Sequence, residues 1–225
     1  MPAHIRLAVD AVVFGYAEQQ LKLLLIRRNI SPFEGEWALP GGQVRYDESL
    51  EIAVERELRE ETGIAINYLE QLYTFGDPGR DPRNRVVSVA YFALVNPSQF
   101  ELTAATDAAD ARWFPCHQLP SLAFDHARIV AYALQRLRAK LTYEPIGLNL
   151  LDRDFLFSDL EKLYESILGR AIDRRNFRKK FLSFGILTET NIRHSGQKGR
   201  PGTLFRFDVE QYQSLREKGF LFEIK

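Results

Sequence analysis

The chain has 225 residues, 45% hydrophobic and 27% charged, with 30 Lys and Arg balanced by 30 Asp and Glu, which fits one large or two small globular domains and excludes a disordered chain. No window approaches 18 consecutive apolar residues and no basic-then-apolar leader pattern opens the chain, so neither a membrane span nor a secretory signal is expected. Cys116 is the only cysteine, which excludes a disulfide framework and a cysteine zinc site and points to the cytoplasm. The charge is unevenly spread. Residues 1–149 hold 15 basic against 19 acidic side chains, 150–225 hold 15 against 11, and 170–206 alone hold 10 against 2. Such asymmetry is a cue for nucleic-acid binding by the basic part, or else a basic solvated surface.

Residues 5–15 (IRLAVDAVVFG) and 21–28 (LKLLLIRR) are β-rich runs around a polar turn and predict a hairpin. The loop SPFEGEWALPGG leads into GQVRYDESLEIAVERELREETGI, residues 42–64. Asp47 is placed to cap a helix that Gly63 ends. At about 100° per residue, Leu50, Ala53 and Val54 share a stripe with Glu57, Glu60 and Glu61, whereas Glu48, Glu51, Glu55 and Arg59 fall on the solvated side. Like charges at i,i+4 repel, so a hard divalent cation such as magnesium is expected among the first three carboxylates. Gly41 and Gly42 let backbone approach the same ion.

Further strands are expected over 64–75, 85–95 and 112–114, with a turn-rich loop GDPGRDPRN carrying Arg80, Arg83 and then Arg85, and a helix over 122–140. This order suits a mixed sheet between helices over residues 1–141, followed by a linker over 142–151. Residues 152–225 read as a second unit. Ser158 caps a helix with Leu160, Leu163, Tyr164 and Ile167 on one stripe, ended by Gly169. Asp173 caps a second helix, ended by Gly185, with Phe177, Phe181 and Phe184 inward and Arg175, Arg178 and Lys179 outward. Then come ILTET, a basic glycine-rich loop and TLFRF. Two short helices and a β-hairpin describe a winged helix-turn-helix. Arg174, Arg175 and Lys180 are then available to phosphates or base edges, Lys198 and Arg200 to the backbone or minor groove, and Asn176 to an adenine or to a local cap.

Residues 42–64 resemble the Nudix box at every fixed position, and YTFGDPGRDPRNRVVSVAYFAL after it resembles the ADP-ribose pyrophosphatase branch. With ILGRAIDRRNFRKKFLSFGIL and GRPGTLFRF, nearly the whole chain resembles the NrtR family of Nudix-related transcriptional regulators. The resemblance implies an α/β (α+β) protein, a Nudix α/β/α sandwich with a mixed sheet plus a winged helix. It implies a homodimeric repressor of NAD-biosynthesis genes on double-stranded DNA with a near-palindromic operator, with ADP-ribose or a related nucleotide as effector. Many such regulators have lost catalytic residues, whereas this sequence keeps the full box. An active magnesium-dependent ADP-ribose pyrophosphatase is therefore the alternative, and a sugar-pathway regulator is a third. If the chain is active, Glu57, Glu60 and Glu61 hold the metal and Arg56 orients them. Asp107 and Asp110 are candidates for a general base. Arg27, Arg28, Arg80, Arg83 and Arg85 are candidates for phosphates, and Phe33 and Trp37 for stacking, Trp37 also for the core.

Overall fold

The structure, a computed structural model, describes residues 4–66, 68–100, 102, 108–194 and 202–224. The two N-terminal apolar runs form strands β1 (Arg6–Ala17) and β2 (Gln20–Arg28), joined at Glu18 and Gln19 with φ of 54° and 61°. Positive φ at both central positions is what a tight hairpin needs to match the twist of its strands. Val12, Val13, Leu23 and Leu24 are fully buried, so these strands are near-continuously apolar because both faces of the sheet are covered.

Then follow β3 (Trp37–Ala38), β4 (Gly41–Gln43), helix α1 (Leu50–Thr62), β5 (Tyr68–Phe75), β6 (Val86–Val95), β7 (Ala108–Pro115) and α2 (His126–Tyr143). The sheet runs β3-β2-β1-β6-β5, with β4 on β1 and β7 on β2. β1 and β6 pair in parallel, whereas β4 on β1, β3 and β7 on β2, and β5 on β6 are antiparallel, so the sheet is mixed. Val54 and Leu58 of α1 pack against Val9, Val13, Tyr91 and Ala93, which sets the helix across the sheet with its acidic end beside β4. The expected three-residue strand at 112–114 is longer, because β7 pairs with β2 from Lys22 to Arg28. The helix expected over 122–140 begins at His126 and runs on to Tyr143.

The chain divides into two compact units, the second beginning at Leu137 and including Glu18–Gln20. Within the expected linker, Ile146–Leu150 forms a 3₁₀ helix whose Ile146, Leu148 and Leu150 are buried. A side chain at Gly147 would strike Leu141 at 2.9 Å, so this stretch is packed rather than open. Beyond it lie β8 (Asp154–Leu156), α3 (Phe157–Leu168), α4 (Arg174–Ser183), β9 (Leu187–His194), β10 (Gly202–Phe207) and α5 (Val209–Glu217). The three strands form an antiparallel sheet in the order β8-β10-β9. Phe157, Tyr164, Phe177, Phe181 and Phe205 meet with ring centroids 4.9–6.3 Å apart. Their edge-on and tilted packing joins buried Leu160, Leu163 and Ile167 in the core of this small unit.

Three local expectations are corrected here. Helix α1 is capped by Ser49, whose hydroxyl accepts from Ile52 N, and not by Asp47. Helix α3 starts one residue before Ser158, and Asp159 accepts the Leu156 N–H in its place. Strand β8 and helix α5 had no clear periodic signature and were not expected.

Candidate functional site

The acidic end of α1 is organised by Arg56. Its guanidinium donates to Glu48 at 2.9 and 2.7 Å, to Glu57 Oε1 at 2.8 Å, to Glu60 Oε2 at 3.2 Å and to the Gln43 carbonyl at 3.2 Å. Glu48 is therefore not on a solvated face, since its side chain is only 7% exposed. It precedes the first helical residue, so a helical wheel does not govern it. The hydrogen bonds from Arg56 hold the Glu48 carboxyl down to about 2, and the same donation to Glu48, Glu57 and Glu60 raises the Arg56 guanidinium. Glu55 and Arg59 are exposed as expected. Glu51 is exposed too and accepts from the Tyr91 hydroxyl, which burial and Glu51 push up to about 12.

Of the three stripe carboxylates, Glu57 and Glu61 face inward, whereas the Glu60 side chain stays 48% exposed. Burial pushes the Glu57 carboxyl up against the pull of Arg56. Glu61 Oε2 accepts the Gly41 N–H at 2.9 Å. The glycine pair is required by space. A β-carbon at Gly41 would lie 2.2 Å from the Val9 carbonyl oxygen, and one at Gly42 would lie 2.3 Å from Glu57 Oε1.

Glu57, Glu61, Gly41 and Gly42 line a cavity of about 260 Å³. Arg28, Arg83 and Phe124 line the same cavity. The Arg28 guanidinium lies 4.8 Å from the Phe124 ring centroid and that of Arg83 lies 5.7 Å from it. Burial and the like charge of Arg83 lower the Arg28 guanidinium from its usual range. Arg83 is held by Asp81 at 3.1 and 2.7 Å, and Arg28 by the Pro32 carbonyl at 3.0 Å. The cavity thus combines carboxylates with cationic and aromatic groups, a lining that suits an anion carrying a metal ion.

The floor is a buried ionic network. Asp10 Oδ2 accepts from Ser88 Oγ at 2.6 Å and from Arg80 Nη2 at 3.0 Å, and its Oδ1 lies 3.4 Å from His126 Nε2. Burial alone would raise Asp10, but His126, Arg80 and Ser88 hold it well below the usual carboxylate range. His126 Nδ1 accepts the Leu39 N–H at 2.9 Å, which leaves Nε2 to carry the proton towards Asp10. Arg80 also grips Asp125 at 3.1 and 2.7 Å and is 6% exposed. It is therefore engaged by two carboxylates and is not an unencumbered phosphate ligand.

The other candidates fall away from the cavity. Arg27 donates to the Gly35 carbonyl and Arg85 to the Val86 carbonyl, and neither lines it. Phe33 packs edge-on to Phe124 at 4.7 Å, and Trp37 packs edge-on to Phe114 at 4.7 Å. Asp110 lies on strand β7 rather than in a loop, paired with Arg112, and Asp107 lies outside the described residues. Sequence reasoning missed Asp10, Asp81, Phe124, Asp125 and His126. Only Asp10 gave a signal, as a lone charge inside an apolar strand.

In the second unit, Asp173 caps α4 by accepting the Asn176 N–H at 3.1 Å, and the Asn176 side chain donates to the same carboxylate at 2.7 Å. Asn176 thus has the local cap role. Arg178 is exposed, as expected of the outward face, but its head is not free. Its guanidinium lies over Phe157 at 4.5 Å and Phe205 at 5.5 Å, because the long stem of arginine lets the head fold back onto aromatic surface. Arg174 pairs with Glu165 at 3.5 Å and Lys180 sits 5.4 Å from the Phe184 ring. Arg175 and Lys179 are exposed. Lys198 and Arg200 lie outside the described residues.

A box-bearing α/β sandwich followed by a basic winged helix defines a class, the Nudix proteins with an appended DNA-binding-type domain. The NUDIX domain family matches residues 4–134, and the NrtR DNA-binding winged helix domain matches residues 147–207. The chain belongs to the NrtR family within that class. It is 35% identical over 210 residues, 92% of this chain and 83% of the other, to the ADPR responsive transcriptional repressor NtrR of Acinetobacter baylyi. It is similar to NrtR of Shewanella oneidensis complexed with a 27mer DNA, with a TM-score of 0.82, 34% identity and coverage of 97% and 99% of the two chains. The NUDIX domain of that protein complexed with ADP ribose matches at a TM-score of 0.56 and 42% identity, covering 60% of this chain and 89% of that one. The ADP-ribose pyrophosphatase of Methanocaldococcus jannaschii is 41% identical over 127 residues, 56% of this chain and 72% of the other. Membership of the Nudix family implies dependence on a divalent metal. No helix among the described residues is long and apolar enough to cross a membrane.

Proposed function

We propose that the protein is a cytoplasmic, homodimeric transcriptional repressor of NAD-biosynthesis genes that binds a near-palindromic operator and senses ADP-ribose through its Nudix domain. The observation that carries this reading is the cavity lined by the carboxylates of Glu57 and Glu61 together with Arg28 and Arg83, in the same chain as a basic winged helix. The diphosphate of ADP-ribose is the anion that such a cavity suits. Arg28 and Arg83 meet its oxygens, and Phe124 between them offers a flat apolar surface. Magnesium fits the donor chemistry of the acidic lining, since Glu57 and Glu61 are hard oxygen donors beside a close-approaching glycine backbone. Among the described residues no three acidic or imidazole side chains already converge in liganding geometry, because Arg56 bridges Glu57 and Glu60. The bound ion would neutralise the diphosphate. The protein's own part is to fix that end of the ligand through the Arg56-organised carboxylates and to shut out water with Leu39, Ile26 and Val86.

A gel shift with the chain's own upstream DNA tests the reading. Binding at low salt that ADP-ribose alters supports it, and no binding with or without nucleotide rejects it. The intact box and the pyrophosphatase relative also favour slow hydrolysis, which would clear the effector. Release of AMP and ribose 5-phosphate from ADP-ribose with magnesium, lost in Glu61→Gln, checks that second reading.

A further inference from the structure

Helix α4 carries five cationic side chains over residues 174–180, and the structure sorts them by what already holds them. Arg174 is paired with Glu165 in α3. Arg178 is laid over the Phe157 and Phe205 rings, and Lys180 reaches the Phe184 ring. Among the described residues Arg175 and Lys179 have no partner, and both are exposed. They stand at i and i+4, hence on one helix face, about 120–160° from the buried Phe177 and Phe181. Leu182 follows on the same face and is 38% exposed, an apolar group that a thymine methyl complements.

We infer that Arg175 and Lys179 are the base-reading pair of the winged helix, and that they recognise the major-groove edges of guanines in duplex DNA. The inference rests on the DNA-binding reading above and deepens it. A side chain that reads a base must reach past the phosphates, so it must be free of protein partners and sit on the helix face away from the core. Only these two of the five meet both conditions. Arginine and lysine find their best match in the O6 and N7 acceptors of guanine. Four residues of helix rise about 6 Å, against about 3.4 Å per base step, so the pair addresses guanines no more than about two steps apart. The count of ten basic against two acidic residues over 170–206 fits the charge of the duplex.

The test uses the full chain. A pool of 27-base-pair duplexes with a random core is selected by the wild-type protein, and fluorescence anisotropy compares the selected duplex with a shuffled one of the same composition. Arg175→Ala and Lys179→Ala are each expected to weaken the selected duplex about 10- to 100-fold while changing the shuffled duplex by about threefold or less. Replacing the read guanine by 7-deazaguanine is expected to cost the wild type about as much, and to cost the matching alanine variant nothing further. Arg174→Ala is expected to weaken both duplexes alike. Equal losses on both duplexes for Arg175→Ala and Lys179→Ala, or a 7-deazaguanine penalty that survives in both variants, would overturn the assignment while leaving DNA binding intact. A wild-type protein that selects no sequence and binds no duplex would overturn the DNA-binding reading as well.

Discussion

At the scale of single residues, the cavity separates arginines that look alike in the sequence. Arg80, Arg83 and Arg85 share one loop, yet Arg80 is buried between Asp10 and Asp125 while Arg83 lines the cavity on an Asp81 support. Removing Arg80 leaves two carboxylates without their counter-charge, so Arg80→Ala is expected to destabilise the fold by about 3–5 kcal/mol in urea denaturation. Arg28→Ala and Arg83→Ala should leave the urea midpoint nearly unchanged and weaken ADP-ribose binding by about tenfold each, read by calorimetry. Glu48 gives a pH prediction with a definite sign. Its carboxyl lies at about 2 in the folded chain against an ordinary 4.5, so its stabilisation is complete above 4.5 and lost as pH falls towards about 2. Glu48→Gln should therefore flatten the pH dependence of the urea midpoint between those limits, and an unchanged profile would show that Arg56 does not act through Glu48.

At the scale of elements, the glycine pair of β4 is decided by what each added methyl group would strike. Beside Gly41 it is the backbone carbonyl of Val9, which cannot move without breaking β1, and φ there is 152°. Beside Gly42 it is the end of the Glu57 side chain, which can swing. Gly41→Ala should thus lower the thermal midpoint, by a loss on the order of 1–3 kcal/mol. Gly42→Ala should keep most of its stability and lose the magnesium dependence of ADP-ribose binding, because Glu57 is pushed aside. The fold was legible to the extent that its signals are local. The apolar stripe of α1, the hairpin of β1 and β2, and the glycine stops of α3 and α4 can be read within a few residues of chain. The cap of α1 was misplaced because Asp47 and Ser49 are equally good caps, and only the first turn's hydrogen bond chooses Ser49. The cavity floor was not legible, since Asp10 is joined to Arg80, Ser88 and His126 across 70 to 116 residues of sequence by a mixed sheet that no local pattern encodes. Arg178 is exposed as the helical wheel expects, but a wheel gives the direction of a stem and not where a long guanidinium comes to rest, here over Phe157.

At the scale of the whole molecule, one chain combines a cavity suited to a metal-bound diphosphate with a basic winged helix, and thermodynamics links the two whatever the path between them. If ADP-ribose changes the affinity for the operator by some factor, the operator must change the affinity for ADP-ribose by the same factor. A ligand that binds both states equally shifts nothing, so the factor measures how differently the cavity holds ADP-ribose in the free and DNA-bound protein. Couplings of this kind commonly amount to about 5- to 150-fold. The expectation is that anisotropy titrations of a selected duplex, with and without saturating ADP-ribose, give the same factor as calorimetric titrations of ADP-ribose with and without saturating duplex. Both are run at one salt concentration, because the ten basic residues over 170–206 make the DNA term salt-dependent. The reciprocity holds only at equilibrium. Turnover of ADP-ribose by the intact box breaks it by removing ligand during the slower titration, and Glu61→Gln should then restore equal factors. Equal factors in the wild type make the Nudix domain a sensor on the timescale of binding. Unequal factors that Glu61→Gln repairs make it a sensor that erases its own signal, and factors that stay unequal in Glu61→Gln would refute two-state coupling.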